Sequence, residues 1–253
     1  MNKNIKFKIP RESSNYPEQS AYVLKRIAEI MNQALAMGKN RILIHTNLKR
    51  GLPLENINKV AGPFVEAWAH EQFEQICDVA ENQYELINVQ AGKRLDPFDI
   101  ILQFKKRASA TVYASANVDV KATAEDIATS GKSPNINSYQ RIRNEYLHDP
   151  DYLFVILSLK HRVYSEREEA TGMTKGIMEV VSHAEYDLKY ISSADLNYNP
   201  ALGTGQLQIR DIHYVDLEKR STWDFLKLLD QKYIRSKGET AWLKLARQNE
   251  WIK

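Results

Sequence analysis

Three residues of this 253-residue chain have the types and spacing for chemistry on a phosphate. Asp119 and Lys121 stand two apart in NVDVKAT (117–123), a run rich in β-branched residues. Residues two apart on a strand share a face, so the carboxylate and the amine point the same way. Asp99 opens another apolar run, DIILQF (99–104), which the polar KKRASA (105–110) separates from the first as a hairpin connection. In an antiparallel hairpin the start of one strand lies beside the end of its partner. Asp99 and Asp119 therefore converge, with Lys121 alongside. Two carboxylates from neighbouring strands form a hard, oxygen-rich site suited to Mg²⁺, and the carbonyl of Val120 adds a further donor. Such a cation polarises a phosphoryl oxygen and lowers the pKa of bound water. A lysine beside it orients or helps deprotonate that water and offsets charge on the transition state.

Acid-x-lysine spacing is common, and taken alone it reads better as a surface ion pair on an edge strand. Asp96, in the same DPFD segment (96–99), precedes Pro97 and reads as a turn residue. Asp99 leads straight into the apolar run and is the better ligand. The elements around the trio add weight. EQSAYVLKRIAEIMNQALAM (18–37) places Val23, Ile27, Ile30 and Met31 at helical spacing, and Gly38 can end that helix. RILIHT (41–46) is a short strand. A second helix runs from Leu54 to about Val79, with apolar positions Ile57, Val60, Phe64, Trp68 and Phe73, and Pro63 kinks it or starts a new first turn. YELINVQ (84–90), DIILQF and TVYASANVDVKAT (111–123) are strands; a helix follows over 137–147. YLFVILSLKHRVY (152–164) reads as a central buried strand. QLQIRDIHYV (206–215) alternates as a strand does, and 223–233 and 240–248 are helical. The predicted fold is α/β, an α+β mixed sheet with a central meander flanked by helices and helical additions at both ends. Helix, meander, helix, strand is the order shared by the PD-(D/E)xK nucleases, where a first-helix glutamate often supports the metal site. Glu66 is the candidate for that role, with Glu71 and Glu74 as rivals.

Composition is that of a globular protein, with 43% apolar and 26% charged residues. No run of 18 apolar residues occurs, and MNKNIKFKIPRESS lacks the apolar core of a secretory signal. The lone Cys77 reads as a buried structural thiol in a reducing cytoplasm, and six scattered histidines show no zinc spacing. Net charge is only +3, but 130–143 carries three basic residues and no acid, and 219–253 carries nine against four. Such patches suit an anionic polymer or a solvated helix face equally. No repeat or linker divides the chain, so one domain over 1–253 is expected: a mainly helical 1–80, a core over 81–165, and 166–253 as a recognition and C-terminal helical part.

TNLKRGLPLENINKVAGP (46–63), NVDVKAT, SGKSPNI (130–136) and NPALGTGQLQIRDIHYV (199–215) carry a more specific resemblance. Across nearly its whole length the chain resembles the HpaI family of type II restriction endonucleases, and more distantly HincII. The resemblance implies a homodimeric, Mg²⁺-dependent nuclease of the bacterial cytoplasm, acting on double-stranded DNA at the palindrome GTTAAC with blunt ends. A cognate methyltransferase acts on the same site without needing to bind this chain. Asp99 and Asp119 match the metal-binding acids and Lys121 the catalytic lysine. SGKSPN matches a DNA-contacting loop in which Lys132 replaces a wedging glutamine of HincII, which leaves Lys132 a phosphate or base-edge contact. Ser133, Asn135 and Ser138 belong with that loop. Asn199, Thr204, Gln206 and Gln208 are the polar readers of NYNPALGTGQLQ (197–208), which otherwise reads as a plain turn into a strand. The other functions considered are a structure-specific repair or recombination nuclease and a non-catalytic DNA-binding protein.

Overall fold

The computed structural model describes residues 5–93, 95–107, 110–125, 132–201 and 203–253. They form two compact units. One comprises Ala21–Gly131 and Val155–Tyr186; the other comprises Met1–Ser20, Lys132–Phe154 and Asp187–Lys253. In chain order the elements are α1 (Tyr16–Ala36), β1 (Arg41–Ile44), α2 (Leu54–Lys59), α3 (Ala61–Cys77), β2 (Leu86–Ala91), β3 (Ile100–Phe104), β4 (Ala114–Ala124), β5 (Asn135–Ser138), α4 (Tyr139–His148), β6 (Phe154–Arg167), β7 (Thr174–Asp187), β8 (Leu196–Asn199), β9 (Gln206–Ile209), α5 (Thr222–Lys237) and α6 (Glu239–Gln248). The architecture is the expected mixed α/β type. Among the described residues no helix is long and apolar enough to cross a membrane.

The first unit is built on a six-stranded sheet of order β1-β7-β6-β4-β3-β2, in which β2, β3 and β4 are the expected meander. β2 shifts register between Leu86 and Asn88, a bulge on an edge strand. Helix α3 packs against β1, β2 and β4. The helical periodicity of α1 is met by full burial of Val23, Ile27, Ile30 and Met31. The helix expected over 54–79 is two helices that break at Val60, with Pro63 in the first turn of α3. That break resets the helical phase. Val65, Trp68, Ala69 and Phe73 face the sheet, while Val60 and Phe64, two of the apolar positions named for that helix, are exposed. Cys77 is half-buried rather than buried, and burial together with Asp78 pushes its thiol up. That direction disfavours a thiolate nucleophile.

The strand over 174–187 was not read from the sequence. It is as long as β6 and carries β1 at the sheet edge, from Arg41↔Glu179 to Ile44↔Gly176. Its Met178 joins Ile57 and Ala61 in a cluster with Ile42, Ile44, Leu52 and Val163.

The second unit holds a three-stranded sheet of order β5-β9-β8 and the helices α4, α5 and α6. Arg143, one of the three basic residues counted over 130–143, is fully buried. Its guanidinium donates to both oxygens of Asp230, at 2.7 and 2.9 Å, and lies 4.0 Å from the Trp251 ring centre. Tyr139 Oη donates to the same carboxylate. Removing either partner would strand a buried charge, at a cost of about 3–5 kcal/mol. This pair therefore locks α4 to α5 and is not available to a ligand.

Candidate active site and nucleic-acid interface

The β3–β4 ladder runs from Phe104↔Ala114 to Ile100↔Val118. One residue further, the Asp99 N–H donates to the Val118 carbonyl at 2.9 Å. That bond is one residue off the ladder, so Asp99 and Ile100 both lie against Val118, as in a bulge, and Asp99 comes beside Asp119, close enough to push on its carboxyl. The Val120 N–H donates to Asp99 Oδ2 at 2.8 Å, and Lys121 Nζ donates to Asp119 Oδ1 at 2.7 Å. Asp119 is only 4% exposed, and its Oδ2 is buried with no hydrogen-bond partner. Burial holds its carboxyl up, at about 7; Lys121 pulls it down and Asp99 pushes it up. The amine at 2.7 Å does not win against desolvation. A buried carboxylate with an orphan oxygen facing a second carboxylate lacks positive charge.

Those donors suit a divalent cation. Asp119 Oδ2 is unpartnered, and Asp99 is held through its other oxygen by Val120. A strand residue turns its N–H and its C=O towards the same neighbour, so the Val120 carbonyl is on the Asp99 side. Among the described residues no group of three or more His, Cys, Asp or Glu side chains is arranged to hold a metal ion. Two carboxylates, a carbonyl and water are nevertheless a usual Mg²⁺ set, because that ion keeps several waters.

Of the three helix glutamates, Glu66 belongs with this group. It shares a cavity lining with Asp99, and its carboxyl is raised by burial and by Asp99, against Lys121. Glu71 accepts from Gln75 and Glu74 pairs with His70, so both are engaged along α3. Asp96 is a turn residue: its Oδ2 accepts from the Lys93 N–H and its own N–H donates to the Lys93 carbonyl. Gly92 was missed. Its N–H donates to the Asp99 carbonyl at 2.6 Å, and a Cβ there would lie 2.3 Å from the Phe98 carbonyl oxygen. Only glycine lets β2 close on the residue that opens β3. A lone glycine after an apolar run, AG before KR, carries no signal that distinguishes this from a turn.

The polar readers gather on the three-stranded sheet of the second unit. Asn135 pairs with Gln208 and Ser138 with Gln206. Across β9, Gln208 pairs with Asn197 and Gln206 with Asn199. Directly opposed residues share a face, and Gln206 and Gln208 share one by alternation, while Leu207 and Ile209 are buried. The result is two polar rungs, Asn135–Gln208–Asn197 and Ser138–Gln206–Asn199. Asn197 was overlooked; only the register reveals it. Two members also have local duties: Ser138 Oγ caps α4 by accepting from Arg141 N, and Asn199 Oδ1 accepts from Ala201 N. Gln206 Oε1 is buried without a partner. Thr204 lies off the rungs, in the turn, where its carbonyl accepts from Tyr198 Oη at 2.7 Å. Gly205 admits the Tyr198 ring, which a Cβ would meet at 2.2 Å. Ser133 Oγ donates to the Arg210 carbonyl, and the Lys132 carbonyl accepts from Ile212 N. Ser130 and Gly131, the start of the expected contact loop, lie outside the described residues.

Comparison with known proteins gives the family. The chain is 54% identical over 251 residues to the Type II restriction enzyme HpaI of Haemophilus parainfluenzae, covering 98% of each chain. Residues 3–250 match the family described as Type II restriction endonuclease HpaI. A match of that extent leaves neither the hairpin nor the small sheet outside it, and the chain belongs to the HpaI family of type II restriction endonucleases.

Proposed function

We propose that this protein is a Mg²⁺-dependent endonuclease that cuts duplex DNA within the palindrome GTTAAC, leaving blunt ends with 5′ phosphates. The observation that carries the reading is the buried, unpartnered Asp119 Oδ2 facing Asp99, with Lys121 on the same strand face. A divalent cation held by Asp99, Asp119 and the Val120 carbonyl would polarise the phosphoryl oxygen and lower the pKa of the attacking water. The chain's own groups do the rest. The Val120 N–H fixes the Asp99 carboxylate through one oxygen and leaves the other to face the site. Lys121 Nζ, anchored on Asp119, presents its remaining N–H bonds to the attacking water and to the charge that grows on the phosphate. Glu66 supports the site from α3. The water oxygen bonds to phosphorus as the bond to the 3′ oxygen breaks, which yields a 3′ hydroxyl and a 5′ phosphate.

Recognition falls to the polar rungs and the loop before them. Asn and Gln pair bidentately with adenine, and Lys or Arg with guanine; a GTTAAC half-site offers both bases. Lys132, Ser133, Asn135, Ser138, Asn199, Thr204, Gln206 and Gln208 remain the assigned DNA contacts, with Thr204 and Ser133 acting through the shape of their turns. A palindrome calls for a two-fold homodimer in which each copy reads one half-site, with residues 1–80 supplying much of the dimer contact. The setting is the bacterial cytoplasm, where a cognate methyltransferase protects the same sequence.

The test is a Mg²⁺-dependent digest of a sequenced plasmid with the fragment ends read out. Discrete blunt fragments ending within GTTAAC support the proposal. A smear favours a repair or recombination nuclease, and intact plasmid with Mg²⁺ present favours a non-catalytic DNA-binding protein.

A further inference from the structure

Two ends of the described chain meet on the second unit, and the meeting point is basic. The N-terminal segment alternates: Phe7 turns inward, while Lys6 and Lys8 stay exposed. Phe7 pairs antiparallel with Ile252, and hydrogen bonds link Lys6 with Lys253 and Lys8 N with the Trp251 carbonyl. The Phe7 ring packs at 5.5 Å from Trp223 and 6.0 Å from Trp242. The segment is therefore pinned. Its lysines border a cavity together with Arg247, Lys253 and a single acid, Glu250. Among the described residues none of these four cations has a carboxylate within ion-pair distance, although the chain carries 32 acids. Four positive charges around one concavity repel each other and concentrate anions.

We propose that this cavity binds the sugar-phosphate backbone of DNA that flanks the recognised sequence. The inference rests on the proposed function and adds a contact surface distant in sequence from the polar rungs. Continuity within the unit supports it. Helix α4 starts at its cap Ser138, in one of the rungs, and its Gln140 and Asn144 side chains both donate to Asn249 Oδ1, one residue before Glu250. One helix thus carries the reading sheet and braces the cavity wall. The cavity chemistry suits phosphate better than a protein partner, because an interface core needs apolar surface and here Phe7 and Ile252 are the apolar lining, with Ile252 buried. Contacts of this kind position DNA without reading its sequence.

The experiment measures dissociation constants against salt for two duplexes: one ends at the recognised site, and one extends about a helical turn beyond it on each side. The variant is Lys8→Ala with Arg247→Ala. Each lost phosphate contact flattens the log–log salt slope by about 0.9, so over a fourfold rise in salt the wild type should lose about tenfold more affinity than the variant on the long duplex. On the short duplex the two proteins should match. Lys8→Arg with Arg247→Lys keeps both charges and should keep the wild-type slope. The inference is overturned if the slope on the long duplex does not change, or if the charge-keeping variant loses it equally. A wild type with no duplex binding at all overturns the proposed function instead; a wild type that binds and cuts normally beside an unaffected variant overturns only the flanking contact.

Discussion

Asp119 sits inside an 11-residue strand with neighbours on both sides, whereas Asn135 and Gln208 face outward from strands of four residues. Both constellations use antiparallel register to line up side chains. They differ in what they must withhold from water. A carboxylate that is to act with a cation has to be desolvated and held, and burial is the largest of the causes that leave Asp119 at about 7. That requires a long central strand. An amide reads a base edge while neutral, and leaving it wet costs little, so a small sheet with one buried face suffices. If the proposed roles hold, the contrast teaches that chemistry is placed where stability is spent, and recognition where it is not.

The sharpest break between the two is Lys121→Ala. Cleavage should fall by about 10²–10⁴-fold, while cognate DNA affinity stays within a few fold; single-turnover cleavage and a binding titration check both halves. Cleavage near the wild-type rate would remove Lys121 from the mechanism. Gly92→Ala should follow. The added Cβ has no room beside the Phe98 carbonyl, so the backbone that carries Asp99 must shift. A displacement of about 1 Å costs about 10²-fold in rate, again with affinity kept.

Gln208→Ala should do the reverse. It should lose about 1–3 kcal/mol of preference for the cognate site over a one-base mismatch, seen as competition between duplexes, with little change in melting temperature. A large loss of stability instead would make that rung structural.

The smallest effect is thermal. The folded carboxyl of Asp119 is raised above its unfolded value, so metal-free stability falls as pH rises from about 4 towards 7. Asp119→Asn removes that penalty. Metal-free, it should melt higher than the wild type at pH 8 and show no such advantage at pH 4. Mg²⁺ should raise the wild-type melting temperature more than that of the variant. Equal melting at both pH values would show that Lys121 already neutralises the site.

The candidate catalytic hairpin was legible because two strands joined by a short connection must pair: DIILQF and NVDVKAT name both strands, and the polar segment between them sets their direction. Glu66 could be shortlisted with Glu71 and Glu74 but not chosen, since helical phase depends on the break at Val60. The strand Thr174–Asp187 was illegible for a physical reason. Its alternation is interrupted by Gly176, which makes room for Ile57, and by Glu179, which pairs with Arg41 and Arg162. Both make sense only with the neighbouring elements present. The polar rungs were half visible. Asn135, Gln206 and Gln208 could be named, but β8 is a four-residue strand, and its Asn197 becomes a neighbour only through the pairing.

The bulge in β2 has a consequence for handling the protein. A six-stranded sheet has two open edges, and a flat edge recruits strands from other molecules. Here one edge is the four-residue β1, which begins with a charged Arg41, and the other is bent where Leu86 and Asn88 slip register. Neither offers a long straight ladder. Edge-to-edge fibrillation is thereby discouraged at the high concentrations of purification and storage.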